Sequence, residues 1–564
     1  MLPNRELPVR AEGIARSFIL CNATGMDGSF LSHYILRIAQ DDNLLPRTLI
    51  KLRAIYKLWI IRGVVRNIIF CLIFNNKYKW SIGMKLKFIR PEIFSAFASL
   101  FILVYVLMLR PVIGVADNGD FGRIMGSTGL HYISSAFDDR YFGYVNREYG
   151  IGIPIPFGGG YFSTEILVVG IAVLLSQLVF PSGIFDIRYL SFVYILVFIA
   201  ALVLIVLGIR KKWGWAGWLA AGASVLVFSD IAYISYFNSF YGEAVTLVFL
   251  LLMAGAGIYL ASAARPRLWM LLLFFAGAVF FAGAKVQNSP AGFLAVLLGF
   301  RLIRLRKDNL WKRTVVFSAA CVIAVSVLSY ITISRDIKTC NKYQTVFYGI
   351  LKDSPDAAAD LRKLGLSSEY RVLAGTNYFM KEYPLDIRTP EFKEEIDSTI
   401  NHLKIAGFYL KHPRRLLDKL EVAALEGFKL KQGFGNYEKY PGVAYKTTAN
   451  ILSSWSNFKL NILPHTLAFV IIFYAGFILV LALEYFRNKD IQMRLLMEIM
   501  AFISLTGIMQ FVMPIIGDGE ADLSKHLFLF NVCFDLMFTV VVVYSLYRMW
   551  SFLRTFTARL QVSK

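Results

Sequence analysis

The sequence predicts an all-α polytopic membrane protein, and three observations carry that prediction. Of 564 residues, 57% are hydrophobic and only 17% charged, against about a quarter charged in an ordinary soluble domain. The apolar residues are gathered into runs such as 189–209 and 464–485. Runs of about 20 residues match the ~30 Å hydrocarbon core of a bilayer. Lys and Arg collect at the ends of those runs, at 210–212, 265–267, 301–307, 487–494 and 548–564, which is the distribution of cytoplasmic loops. A disordered chain, a disulfide scaffold and a soluble metabolic enzyme are thereby excluded. The net charge of +22 comes from those loops together with the basic residues of 1–90. No basic groove with interleaved aromatics stands out, so nucleic acid is not an expected partner. Cys21, Cys71, Cys321, Cys340 and Cys533 show neither metal spacing nor a pairing pattern.

Taken in order, residues 1–90 are a polar, basic, cytoplasmic or interfacial segment. Their one apolar stretch, 58–74, contains Arg62 and Arg66. A mid-bilayer Arg costs about 2.5 kcal/mol or more, so an interfacial helix is expected there. Met84, directly before the first clean span, reads as an alternative start that would make 1–83 dispensable. The first span is expected at 93–108. A long outer loop, 116–188, follows with charges of both signs and one apolar run, 164–180. Were that run to cross the bilayer, Arg210, Lys211 and Lys212 would emerge outside. As an interfacial helix it keeps every later basic loop inside.

Nine further spans are expected at 189–209, 214–236, 244–262, 268–284, 290–303, 312–333, 464–485, 495–516 and 527–547, with both termini cytoplasmic. The chain then divides into 1–90, a transmembrane core 91–333, an outer, mostly helical domain 334–463, and C-terminal spans 464–564. The 334–463 segment has soluble composition and breaks at Pro355, Gly365, Pro384, Pro390 and Pro413. Apolar residues fall at helical spacing over 392–410 and 414–428.

Four polar clusters sit at outer boundaries. The first is Asp117-Asn118-Gly119-Asp120-Phe121-Gly122-Arg123. Two carboxylates three residues apart share one side of a turn, and adjoining apolar surface raises a carboxyl pKa toward that of a useful base. The same string is also good turn chemistry for capping a helix. The second holds Asn238, Tyr241 and Glu243. An ionisable group entering an apolar run is a functional candidate, although Glu is also favoured at a helix N-terminus. In the third, Lys285 and Gln287, the Lys could neutralise a phosphate or snorkel to the headgroups.

The fourth, Asp518, Glu520, Asp522, Lys525 and His526, is denser in charge than a solvated loop requires. Its spacing resembles part of a calcium loop but lacks the later ligands. Asp138 and Asp139 with Asp120 could hold a divalent ion, against which Arg123 and Arg140 argue. No cofactor is therefore expected, and a divalent metal stays open. His402, His412 and His465 are not in metal spacing. The topology gathers all four clusters on one side, which suits a reaction on a lipid-phosphate substrate. A transporter would keep its polar groups near mid-membrane.

An acid-bearing loop after the first span, an interfacial helix and then many spans resemble the GT-C glycosyltransferase architecture. Tyr161-Phe162, Glu165, Phe180 and Phe185 through Arg188 are similar to protein O-mannosyltransferases and the lipid A aminoarabinose transferase. In those families an aromatic pair opens a juxtamembrane helix and an Arg starts the second span; the Lys-Pro-Pro that often follows the pair is absent here. Asp120-x-x-Arg123 resembles their acidic-x-Arg motif. The strings D-N-G-D-F, N-S-F-Y-G-E, Lys525-His526-Leu-Phe and Gly-Asn436-Tyr-Glu together resemble the WsfD-type hexosyltransferases of bacterial surface-glycan synthesis, over roughly residues 84–550.

The resemblance implies a polyprenyl-phosphate-linked hexose as donor, a glycan or lipid-linked acceptor, and inverting transfer by a multi-pass protein of the bacterial plasma membrane whose site faces outside. Asp117 or Asp120 would be the general base, and Arg123, Arg188 or Lys285 would stabilise the departing phosphate. Asn238, Tyr241, Glu243, Gln287, Asp518, Asp522, Lys525 and His526 are the further expected substrate contacts. The alternative is a glycan-lipid flippase or polysaccharide transporter.

Overall fold

The computed structural model describes residues 90–562 apart from 431, 432 and 434, with only helical backbone beyond 555. The interfacial helix expected at 58–74 and the start expected at Met84 lie outside the described residues. The chain divides between Gly83 and Met84, so every described residue belongs to the second unit.

The architecture is that of an all-α polytopic membrane protein. Among the described residues eight helices are long and apolar enough to cross a membrane: Pro91–Met108, Arg188–Trp213, Glu243–Ser262, Val286–Leu305, Asn309–Ile331, Leu467–Arg487, Ile491–Gly517 and Phe528–Thr555. The span expected at 214–236 is instead a bent pair, Ala216–Phe228 and Ile231–Asn238, meeting at 59°. Asp230 makes the break. Its carboxylate accepts from the N–H groups of Ala232 at 3.0 Å, Trp455 at 2.9 Å and Ser456 at 3.0 Å. It caps one helix while holding the start of another.

Two apolar helices are shorter, Leu268–Ala284 with 17 residues and Glu165–Val179 with 15. At 1.5 Å per residue the latter reaches about 22 Å, short of the hydrocarbon thickness. The two are joined end to end. A helix leaves its last carbonyls without partners, and here the preceding loop supplies them. Ser163 Oγ donates to Ala284 O at 2.8 Å, Thr164 N to Gly283 O at 2.9 Å, and Thr164 Oγ1 to Phe280 O at 2.7 Å. A Cβ on Gly283 would lie 2.5 Å from Thr164 Cγ2 and from Val325 Cγ1, so any larger residue would have to displace these side chains.

The Glu243–Ser262 helix is apolar all round and buried, as befits a central element. Its Gly255 lies where a Cβ would meet Ala201 O at 2.8 Å, the close approach that small residues permit between membrane helices. Glu243 stands at one end of this helix and Ser262 at the other.

The loop between the first two spans contains structure too short to carry a sequence period. Glu148–Ile151 pairs antiparallel with Leu130–His131 on one side and Ile184–Asp186 on the other. Ile113–Gly114 pairs with Asn436–Tyr437, tying the end of the first span to the 334–463 segment. That segment is a set of short helices, four of them capped by Ser334, Asp356, Thr389 and Asn401. It is pinned to the last span by Lys459, whose Nζ lies 2.7 Å from Asp535 Oδ1 and 2.6 Å from Asn531 Oδ1.

Candidate functional site

The site starts with a turn. Asp117 Oδ1 accepts the N–H of Gly119 at 2.7 Å and of Phe121 at 3.0 Å, and Oδ2 accepts the Tyr132 hydroxyl at 2.5 Å. Gly119 has φ +108°, a conformation that favours glycine. Asp117 is 1% exposed, and burial pushes its carboxyl pKa up despite these bonds. Its oxygens are committed to shaping the loop. The effect is to turn Asp120 the other way.

Asp120 is the carboxylate that water reaches, with 29% of its side chain exposed. Lys525 Nζ lies 2.6 Å from Oδ2 and Arg123 Nη2 3.0 Å from Oδ1. Burial acts to raise this carboxyl, but Lys525 and Arg123 outweigh it and hold it well below the usual carboxylate range. The carboxylate is thus partly desolvated and still open to water. Lys525 rests 4.1 Å above the ring of Tyr241, and Tyr241 Oη in turn lies 2.8 Å from Asn118 Oδ1 and accepts Asn118 N–H at 3.0 Å. Tyr241 thus holds the loop and the cation together.

The other clusters join this one. Glu243 Oε1 and Lys285 Nζ are 2.7 Å apart, at a spot where a Cβ on Gly242 would meet both Ala284 O and Lys285 Cγ at 2.7 Å. Gln287 Nε2 donates to His526 O at 2.9 Å and receives Gln510 Nε2 on its own carbonyl at 2.9 Å. His526 Nε2 lies 3.0 Å from Asp518 Oδ2, and burial pushes the Asp518 carboxyl up. Arg123 feels the charges of Asp120 and Asp518 together. The four segments far apart in sequence therefore form one group of acids and cations.

Three expected residues fall elsewhere. Asn238 is a buried brace: it receives Ser191 Oγ at 2.6 Å and donates to Leu107 O at 3.0 Å and Ile113 O at 2.8 Å, so its amide ties the second span to the end of the first and the strand after it. Arg188 folds back onto Asp186 at 2.7 Å and toward Met108 O, in a separate network, which removes it from the phosphate role. Asp522 is exposed, and its contribution is backbone: at φ +42° its carbonyl accepts the N–H of Lys525 at 2.9 Å, starting the short turn that presents the Lys. Glu520 points away to Lys419 at 2.6 Å, joining this loop to the 334–463 segment.

Asp139 pairs with Lys439 at 2.7 Å and with Ser134 rather than with Asp120. Among the described residues no three His, Cys, Asp or Glu side chains are grouped to hold a metal.

Two residues enlarge the site. Glu165, at the start of its helix, is 1% exposed, and its Oε1 has no hydrogen-bond partner. Burial pushes its carboxyl well above the usual range; Glu243 adds to the shift, while Lys285 and Lys525 oppose it. A lone acid opening an apolar run was the signal in the sequence that singles it out. Cys340, on the Arg335–Tyr343 helix of the 334–463 segment, has its thiol pushed up to about 12 by burial and by Asp518. It marks where that segment reaches the charged cluster, and nothing in the sequence pointed to it.

A family model described as the YfdI N-terminal transmembrane domain matches residues 75–559. The chain is similar to a protein of Escherichia coli (strain K12) described as uncharacterized protein YfdI, with 26% identity over 325 residues. That match covers 56% of this chain and 66% of the relative, just under two thirds of its length. No solved structure matches. With most of its length matched, the chain belongs to the family of the YfdI N-terminal transmembrane domain.

Proposed function

We propose that this protein is a membrane glycosyltransferase that moves a hexose from a polyprenyl-phosphate donor to a glycan or lipid-linked acceptor at the outer face of a bacterial plasma membrane. The observation that supports this reading is Asp120, water-reachable and held between Lys525 and Arg123 with Lys285 close by. In the reaction the acceptor hydroxyl oxygen attacks the anomeric carbon as the bond to the phosphate oxygen breaks. The hydroxyl proton passes to Asp120, and the electron pair leaves with the phosphate. Attack from the face opposite the leaving group inverts the anomeric centre. The base role falls to Asp120 and not Asp117, whose oxygens already serve the turn.

A carboxylate paired with two cations is a weak base, but substrate changes its surroundings. A donor phosphate is itself a partner for Lys525 and Arg123. As it draws them off, Asp120 loses the charges that depress its pKa and becomes more basic when the acceptor is in place. The same cations then face the negative charge that grows on the leaving phosphate.

One feature favours the transporter alternative: the bend at Asp230, because broken helices build many transport sites. Its carboxylate is filled by three backbone N–H groups, which leaves little for a substrate to bind. The test is transfer of a labelled hexose from polyprenyl phosphate by purified protein. Asp120→Asn should lose about 10²–10⁴-fold in rate, the usual contribution of a general base, while keeping its elution profile and melting temperature. Full transfer by that variant ends the base assignment. No transfer by the wild-type protein, together with movement of the labelled lipid across vesicles, would favour the transporter.

A further inference from the structure

The Glu243–Ser262 helix leads from the Glu243–Lys285 pair, and the Leu268–Ala284 helix returns to it. At their far ends, about 30 Å away for a 20-residue helix, the turn between them opens a cavity of about 640 Å³. It is lined by Lys211, Tyr259, Ser262, Arg265, Arg267 and Arg306 together with backbone of the turn, and among the described residues no Asp or Glu lines it. Three of its four cations, Lys211, Arg265 and Arg267, make no ion pair among the described residues. Lys211 sits 3.9 Å above the Tyr259 ring. Arg306 is paired through Nε with Asp308 at 2.7 Å, while its Nη1 takes Pro266 O at 3.2 Å.

Two carbonyls of the turn are already occupied: Pro266 O accepts from Arg306, and Ala263 O receives Gln492 Nε2 at 3.0 Å. Donors are left open beside them. The N-terminal turn of the Leu268–Ala284 helix is uncapped by any side chain, and the buried Ser262 Oγ has no hydrogen-bond partner. Trp269, next along the chain, is 52% exposed, the habit of a Trp at a membrane–water boundary.

We propose that this pocket is a second site, at the opposite end of the helices from the carboxylate cluster, which binds a phosphate group at the membrane–water boundary. The matching ligand is one that only accepts hydrogen bonds and carries negative charge. Arginine forks suit its oxygens in pairs. The volume admits more than one phosphate alone, as a phosphate-bearing headgroup requires. The inference stands whether or not the protein transfers sugar.

The experiment uses full-length protein in phosphatidylcholine nanodiscs, with or without phosphatidylglycerol, and reads retained lipid by native mass spectrometry and melting temperature. A separate arm adds inorganic phosphate to discs of phosphatidylcholine alone. Selective retention of phosphatidylglycerol identifies a lipid headgroup as the source, whereas stabilisation by inorganic phosphate identifies a soluble one. Arg265→Gln with Arg267→Gln should weaken whichever is seen by about thirtyfold. Arg265→Lys with Arg267→Lys keeps the charge without the fork and should fall between; it serves if the Gln pair does not fold. Neither ligand binding the wild-type protein, or binding unchanged in both variants, overturns the site.

Discussion

Two lysine–carboxylate pairs of nearly equal length sit in very different company. Lys525 and Asp120 are 2.6 Å apart, Lys459 and Asp535 are 2.7 Å apart. The second pair is 0% exposed on both sides, and neither Lys459 Nζ nor either Asp535 oxygen lacks a hydrogen-bond partner. Asp535 accepts from Tyr233, Trp455 and Lys459; Lys459 also donates to Asn531 and lies between the rings of Phe428 and Phe534. In the first pair the Asp120 carboxylate is open to water while the Lys525 side chain is 9% exposed, and Lys525 spends one of its three donors on Asp120. Beside it Glu165 keeps an unpartnered oxygen. A dry, saturated network has no capacity left for a substrate and serves to hold the chain. A wet, incomplete one can exchange partners.

That contrast is broken most directly at the dry pair. Asp535→Ala leaves Lys459 buried without its counter-charge, and removing one partner of a buried pair costs about 3–5 kcal/mol. The protein should melt far lower, or fail to be recovered from detergent. Changing both together, Lys459→Met with Asp535→Leu, should regain much of the loss, because no lone charge remains. A single variant as stable as wild type would show that the pair is not the pin described here.

The same operation at the wet pair should do the reverse. Lys525→Met leaves Asp120 with Arg123 and water as partners, so the loss of stability should fall well short of that for Asp535→Ala. Transfer should fall by about 10²–10³-fold, as for loss of one donor facing charge in a transition state. Hexose transfer and thermal unfolding on one preparation measure both. Equal destabilisation by Lys525→Met and Asp535→Ala would erase the distinction between the two networks.

This difference was only partly legible in the sequence. Helices of membrane length announce themselves by hydropathy, and alternating basic loops decide which loop ends share a side. Hence the loop of Asp120, the Tyr241–Glu243 boundary, Lys285 and the Lys525 loop could be gathered before any contact was known. Contacts decided the rest. Asn238 resembled a site residue, but its partners are carbonyls at Leu107 and Ile113, over a hundred positions away. Arg188 was drawn off by a neighbour two residues distant. Asp117 and Asp120 have the same chemistry in the same motif, and only the turn between them sends one inward. The strands around Glu148–Ile151 are two to four residues long, too few to display a period. Lys459 was hidden because nothing in a soluble-looking segment marks which Lys will meet Asp535.

Glu165 gives the finest test of the comparison, because it lies in the wet cluster yet is itself dry. Burial, its largest influence, raises its carboxyl well above the ordinary Glu value. Above that ordinary value the unfolded chain has released the proton while the folded protein still holds it. Unfolding therefore releases a proton, and stability contributed here declines as pH rises until the folded group also ionises. Glu165→Gln removes the titration while keeping the shape. The difference in unfolding free energy between variant and wild type should grow with pH from near 5 upward, by at most about 1.4 kcal/mol per pH unit. Asp117 and Asp518, raised by burial too, contribute equally to both proteins and cancel in the difference. Parallel curves across that range would mean that Glu165 is ionised in the fold, its charge met by Lys285 and Lys525, and the cluster would then hold one more resident anion competing with a substrate phosphate for its cations.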